Sequence, residues 1–196
     1  MTLNYPKLIL LFSGKRKSGK DFLTDHLFEK IGAEHCTIVR LSTPIKSHWA
    51  KVNGLELDKL LGSSQYKENH RAAMIEWSEA ERLKDSGIFI RSAITMANAN
   101  ENPIWIVSDM RRQSDFCWFT ENYPRVCKTV RVVCDDAVRQ ERGWVFAAGI
   151  DDAETECDLD NVDQSEWSWT IRNNGTLEDI RRELSEIVAT VQTCLQ

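Results

Sequence analysis

Residues 14–21 read Gly-Lys-Arg-Lys-Ser-Gly-Lys-Asp, which matches the spacing G-x-x-x-x-G-K of a loop that wraps phosphate with backbone amides. Gly14 and Gly19 allow the tight turn that points successive N–H groups, those of Lys17 and Ser18 among them, at one anion. Lys20 is placed to reach the β- and γ-phosphates of a nucleotide and to offset the charge that builds as the terminal group leaves. With Lys15, Arg16 and Lys17 it crowds four cations into six residues, whose mutual repulsion an anion would relieve. Asp21 stands where the motif ordinarily carries the Ser or Thr that ligates Mg²⁺. A carboxylate is also a hard oxygen ligand, able to hold that ion directly or through water.

Arginines form the second set. Arg71 and Arg82 lie eleven residues apart on one expected helix and so share a face. Arg91 follows, Arg111 and Arg112 come just after Ser108-Asp109, and Arg139 and Arg142 stand at i, i+3. Taken singly, each could be a surface charge paired with acid: Arg71 with Glu68, Arg82 with Glu79, Arg142 with Gln140 or Glu141. Taken together they suit phosphate, which arginine binds bidentately. A kinase with an anionic acceptor needs one such clamp per substrate. Arg139 and Arg142 would ride on a lid over about 135–150, with Gly143 and Gly149 as hinges. Asp109 could approach Mg²⁺, cap the helix expected from 111, or do both. Asn173-Asn174-Gly175 makes a turn that could also touch nucleotide.

These residues need a frame, and the apolar pattern supplies one. Lys7 to Phe12 is a continuous apolar run ending at Ser13-Gly14, the mark of a strand covered on both faces. Further strands fit Thr37–Leu41, Ile104–Val107, Thr129–Cys134 and Trp169–Arg172. Between them run a helix from Lys20 to the stop at Gly32, several helices over 44–98 (the clearest from Tyr66 to Lys84), and one over 111–123. A last helix starts behind the N-cap Thr176, with Leu177, Ile180, Leu184, Ile187 and Val191 as its stripe. Residues 151–166 are poor in apolar side chains and read as a loop. Strands alternating with helices imply one α/β domain, a parallel sheet with helices on both faces.

Composition narrows the function classes. The 196 residues carry 25 Lys+Arg against 30 Asp+Glu, a net charge of −5. Residues 151–196 hold 12 acids and 3 bases, whereas 1–150 hold 22 bases and 18 acids. A basic body with an acidic tail end points to a focused anion site and away from nucleic acid. No run approaches the roughly 20 apolar residues of a membrane span, and the start does not read as a signal peptide. A cytosolic protein without membrane or nucleic-acid partners, and a monomer, is expected. The six scattered cysteines, none in a C-x-x-C pair, are expected to be buried reduced thiols.

Four segments carry a resemblance. Leu11 to Phe22, Val107-Ser-Asp-Met-Arg-Arg112, Arg142-Gly-Trp-Val-Phe146 and Asp151 to Cys157 resemble the animal phosphomevalonate kinases, a likeness that runs over essentially the whole chain. It implies a P-loop fold like that of nucleoside monophosphate kinases, with a five-stranded parallel sheet and a lid. It implies transfer of the ATP γ-phosphoryl group to 5-phosphomevalonate, with Mg²⁺. By matching motif it puts Lys15, Arg16, Lys20, Arg111 and Arg142 at the transfer. Gly14 to Asp21 would hold ATP with Arg139, Arg142 and Asn174, and Arg131 lies near that nucleotide or lid. Arg16, Lys46, Arg71, Arg82, Arg91, Arg111, Arg112 and Asn173 would hold the acceptor, and Asp21 with Asp109 the metal. The rival is a nucleoside or deoxynucleoside monophosphate kinase, which needs the same loop, lid and arginines. Under either reading Lys20→Met abolishes turnover and leaves the fold intact, an exposed loop lysine adding little stability. Steady-state ADP release and circular dichroism check this, and an unfolded variant or one of near-normal rate contradicts it.

Overall fold

The structure, a computed structural model, describes residues 6–62 and 65–196. In chain order the elements are β1 (Leu8–Gly14), α1 (Lys20–Ile31), β2 (Cys36–Val39), α2 (Ser42–Asn53), α3 (Leu57–Leu61), α4 (Gln65–Lys84), α5 (Ile88–Met96) and β3 (Ile104–Val107). Then follow α6 (Gln113–Asn122), β4 (Cys127–Val133), α7 (Asp136–Glu141), α8 (Glu154–Cys157), β5 (Trp169–Arg172), α9 (Leu177–Glu183) and α10 (Ser185–Leu195). The five strands form one sheet in the order β2-β3-β1-β4-β5, and every neighbouring pair is parallel.

All of β1 is buried, and its side chains alternate between two cores as strand geometry requires. Leu8, Leu10 and Phe12 pack with Leu23 and Leu27 of α1 and with Ile180 and Ile187 of the C-terminal helices. Ile9 and Leu11 face the other way, toward Ile90 and Ala93 of α5, Phe119 of α6 and Trp105. Because the order puts β1 between β3 and β4, the loop after β1 is flanked by the chain ends of both neighbours. The segments that follow β2, β3, β4 and β5 also emerge at this carboxyl edge, where open α/β sheets place their ligands.

Three expectations need correction. Residues 151–166 are not featureless: they hold α8 and a 3₁₀ turn at Gln164–Glu166. The last helix is two, broken at Leu184, and Leu177 is exposed whereas Ile180, Leu184, Ile187 and Val191 are buried. Thr176 does cap α9, its hydroxyl accepting from the Asp179 amide. Of the six cysteines, all unpaired, Cys36 alone is buried and Cys117 is exposed. Burial pushes the Cys36 thiol up to about 11 and the half-buried Cys127 up to about 12.

Leu10→Ala opens a void at a fully buried position of the central strand and is expected to cost about 2–5 kcal/mol. A urea titration at neutral pH measures this, and a loss below about 1 kcal/mol would mean that the neighbouring helices collapse to refill the site.

Candidate active site

The loop from Gly14 to Lys20 turns back through two left-handed residues, Lys17 at φ 64° and Gly19 at φ 85°. Both glycines are needed for space. A Cβ on Gly14 would lie 2.7 Å from the Val132 carbonyl oxygen, and one on Gly19 would lie 2.1 Å from Asn173 Nδ2. Gly19 is also the N-cap of α1, and no side chain caps that helix. The first amides of α1 are therefore left to an anion, and the helix end adds positive potential. The buried hydroxyl of Ser18 has no partner.

Lys20 is not the exposed loop lysine expected from the sequence. It is 6% exposed, and its Nζ pairs with Asp21 Oδ1 at 2.8 Å. Its stem lies in the core edge, which the similar length of Met would still fill. Asp21 itself keeps an 80% exposed side chain. Desolvation by the neighbouring loop opposes its ionisation, but Lys20, with Arg111 and Arg40 further off, holds its carboxyl below the ordinary carboxylate range.

Lys20 and Asp21 open onto a cavity of about 650 Å³. Lys20, Arg40, Lys46, Arg71, Arg82, Arg111 and Arg112 line it against the acids Asp21, Glu79, Asp109 and Asp115. An apolar patch of Leu41, Ile45, Leu61, Met74 and Ile75 completes the wall. The pairings anticipated for α4 are present at longer range, with Arg71 3.6 Å from Glu68 and Arg82 3.8 Å from Glu79. Arg82 is held more closely by the buried Asp115, at 2.5 Å, which also accepts from the Arg112 amide at the start of α6. Arg112 pairs with Glu79 at 2.7 Å and Glu154 at 3.1 Å. The buried Nε atoms of Arg71 and Arg82 and the Thr155 hydroxyl have no hydrogen-bond partner. Unsatisfied donors in a cavity wall mark where a ligand belongs.

Several anticipated residues lie elsewhere. Arg91 is outside this cavity, in a shallow cleft of about 500 Å³ beside His48 and Lys51, where it pairs with Asp85. Asp109 caps a helix, but not the one after 111. Its two oxygens accept from the Leu41 and Ser42 amides at 2.6 and 3.0 Å, fixing the start of α2. It also lines the cavity, and each of its oxygens keeps a further lone pair. Arg142 pairs with neither Gln140 nor Glu141; it donates to the Ser18 and Asn173 carbonyls at 3.4 and 2.9 Å. Arg40 was missed by sequence reasoning, although its place just past β2, at the carboxyl edge, was a usable signal.

A second group of cations lies outside the cavity lining. Arg139 Nε donates to the Arg16 carbonyl at 3.0 Å, and its guanidinium stacks 3.9 Å over Trp144. Asn173 Nδ2 donates to the Ser18 carbonyl at 2.8 Å, so Arg142 and Asn173 both brace the loop. Asn174 instead accepts from the Asp135 amide at 2.8 Å and ties the turn after β5 to the end of β4.

The acidic stretch meets these cations. Asp151 binds Arg16 through two hydrogen bonds of 3.0 and 2.7 Å and also accepts from Trp144 Nε1 and the Ala147 amide. Asp160 takes Lys15, and also Arg131 at 2.7 Å. Burial works against the Lys15 charge, but Asp160 raises its pKa above the ordinary lysine value. Asp158 accepts from the Gln113 amide at 2.8 Å. The stretch read as a loop is therefore the counter-charge of the phosphate loop. Its polarity concealed that, because periodicity finds apolar faces and not ion pairs.

Comparison with known proteins fits this geometry. The model of the phosphomevalonate kinase family matches residues 12–125. The chain belongs to the phosphomevalonate kinase family. A phosphomevalonate kinase of Drosophila melanogaster is 47% identical over 156 residues, covering 79% of this chain and 82% of that protein. Among solved structures, a gluconokinase from Sinorhizobium meliloti 1021 superposes with TM-score 0.54 at 13% identity, over 97% of this chain and 96% of that one. A dephospho-CoA kinase from Campylobacter jejuni gives 0.51 at 12% identity, over 98% and 100%. Likeness at that identity bears on the fold, which these kinases share.

Partial burial of Asp151 opposes its charge, but Arg16, Trp144 and the Ala147 amide outweigh it and hold its pKa below the ordinary carboxylate value. A depressed native pKa stabilises the fold above the unfolded value of about 3.9 and ceases to do so as pH falls through the lower native value. Asp151→Asn should therefore cost about 2 kcal/mol at pH 7. That difference should shrink as pH drops below about 4. Urea titrations of both proteins across this range measure it, and a pH-independent difference would assign the loss to packing.

Proposed function

We propose that this chain transfers the γ-phosphoryl group of ATP to 5-phosphomevalonate, giving ADP and 5-diphosphomevalonate for isoprenoid and sterol synthesis, and that it works as a cytosolic monomer. One observation carries the reading: in a member of this family, the phosphate-loop Lys20 lies in the wall of the same cavity as Arg71, Arg82, Arg111 and Arg112. The acceptor has a phosphate at one end, a carboxylate at the other and a methyl-bearing carbon between. Arginines and Lys46 suit its two anionic ends, and the Leu41, Ile45 and Met74 patch suits its aliphatic middle. Arg139, Arg142 and the phosphate-loop amides then serve ATP, with about 135–150 as lid and Gly143 and Gly149 as its hinges; both glycines have positive φ, at 79° and 76°. Asn173 would link donor and acceptor sides through its bond to the Ser18 carbonyl.

The chemistry asks for no side-chain nucleophile. The acceptor's phosphate oxygen is already anionic and attacks the γ-phosphorus in line; the bond to the β–γ bridging oxygen breaks, and ADP leaves. Lys20, Arg111 and the loop amides hold the reacting groups and stabilise the charge that spreads over the transferring group. His26, His35, His48 and His70 are dispersed along the chain, and none is required. Among the described residues no three of His, Cys, Asp and Glu cluster as a metal site. That donor set fits Mg²⁺ held chiefly by phosphates and water with Asp21 as its protein contact, where the ion would neutralise phosphate charge. No described helix is long and apolar enough to cross a membrane.

The monophosphate-kinase alternative needs a surface that reads a base. Among the described residues that line the cavity none is aromatic, so no ring is there to stack on a base. The deciding experiment measures ADP release with Mg·ATP and either 5-phosphomevalonate or AMP, CMP, UMP, dGMP and dTMP. Turnover confined to 5-phosphomevalonate is expected. Turnover with a nucleotide instead would keep the phosphate loop and overturn the acceptor.

A further inference from the structure

Residues 151–160 carry six carboxylates, and Glu156 differs from the others by its position. Its side chain is 1% exposed, and its two oxygens meet three separate parts of the site. Oε2 accepts from the Arg16 backbone N–H of the phosphate loop at 3.0 Å. Oε1 accepts from Arg111 Nη1 and lies 3.5 Å from Arg71 Nη2. Arg71 comes from α4 and Arg111 from the segment after β3, so one carboxylate ties elements far apart in the chain. Both arginines line the cavity, whereas Glu156 stands behind them and does not.

We propose that Glu156 is a positioning residue for the transfer, setting the distance from the phosphate loop at which Arg71 and Arg111 meet the acceptor's anionic end. The inference rests on the phosphomevalonate kinase reading. Two guanidinium groups side by side repel each other, and each long side chain would otherwise sample several rotamers. A carboxylate shared between them opposes both effects. It also leaves donors over, because a guanidinium carries five N–H groups, and the buried Nε of Arg71 is unsatisfied. Removing a carboxylate from water is costly unless its oxygens are paired, and both oxygens here are. The opposing possibility is that this carboxylate takes the place of a substrate anion and competes with it. Its absence from the cavity wall favours positioning.

The experiment is a double-mutant cycle on the full chain with Glu156→Gln, Arg111→Lys and the pair together. KM and kcat are measured for 5-phosphomevalonate at saturating ATP and the converse, alongside the melting temperature of each protein. Glu156→Gln keeps the shape and removes the charge. It is expected to lose on the order of 100-fold in kcat/KM for the acceptor, with KM for ATP within about twofold of the parent. The pair should lose no more than the worse single variant, since both changes break one arrangement. Glu156→Asp, which keeps the charge but shortens the reach, should fall in the same direction and replaces the Gln variant if that fails to fold. A lower KM for 5-phosphomevalonate with kcat retained would show competition and overturn the proposal, as would constants equal to the parent or losses that simply multiply. If the parent uses a different acceptor, the functional reading falls by itself, and the same cycle run on that acceptor still judges Glu156.

Discussion

Four cations in six residues, with more arginines converging from other elements, cannot share one edge of a sheet unless something opposes their repulsion. At about 4 Å, two like charges near a protein surface repel by roughly 4 kcal/mol. In this protein the opposition is built into the chain. Asp151, Glu156 and Asp160 fold back onto the phosphate loop and take Arg16, Arg111 and Lys15. The sheet brings the cations together, and the acidic stretch keeps them there.

Counter-charge carries a hazard, since a carboxylate that fills an anion site blocks it. For the acidic stretch the structure avoids this by segregation. Asp151, Glu156 and Asp160 contact cations from outside the cavity, while Lys20, Lys46, Arg71 and Arg82 face inward among the lining residues. Asp115 and Glu79 hold Arg82 and Arg112 from the wall itself. Each guanidinium spends part of its planar fork on a carboxylate and has further N–H groups to spare. The sheet order makes this division possible: β1 lies between β3 and β4, so the phosphate loop has the β3 end with Arg111 on one side and the β4 end with Arg142 on the other.

Local signals were legible in the sequence. The phosphate loop, the five strands to within a few residues, α4 and the Thr176 cap each depend on residues close together in the chain. What was not legible was which side chains the fold would bring together. Arg91, one of a set of arginines in the sequence, lies in its own cleft because α5 turns it toward Asp85. Asp109, next to a helix it might have capped, caps α2 through its bonds to Leu41 and Ser42. Lys20 looked exposed because loops usually are, but packing at the sheet edge covers its stem.

The sequence by itself determined that a nucleotide-phosphate loop joins a buried strand to a helix, that the sheet is parallel, and that the chain resembles a kinase family. Those follow from short-range spacing, apolar period and motif. Only the tertiary structure decided which cations share a cavity and which brace the loop, and that the acidic stretch is their counter-charge. Ion pairs such as Arg16 with Asp151 join residues 135 positions apart. Charge acts through space over a few ångströms and leaves no periodic mark on the chain, so no pattern in the sequence could have named those partners.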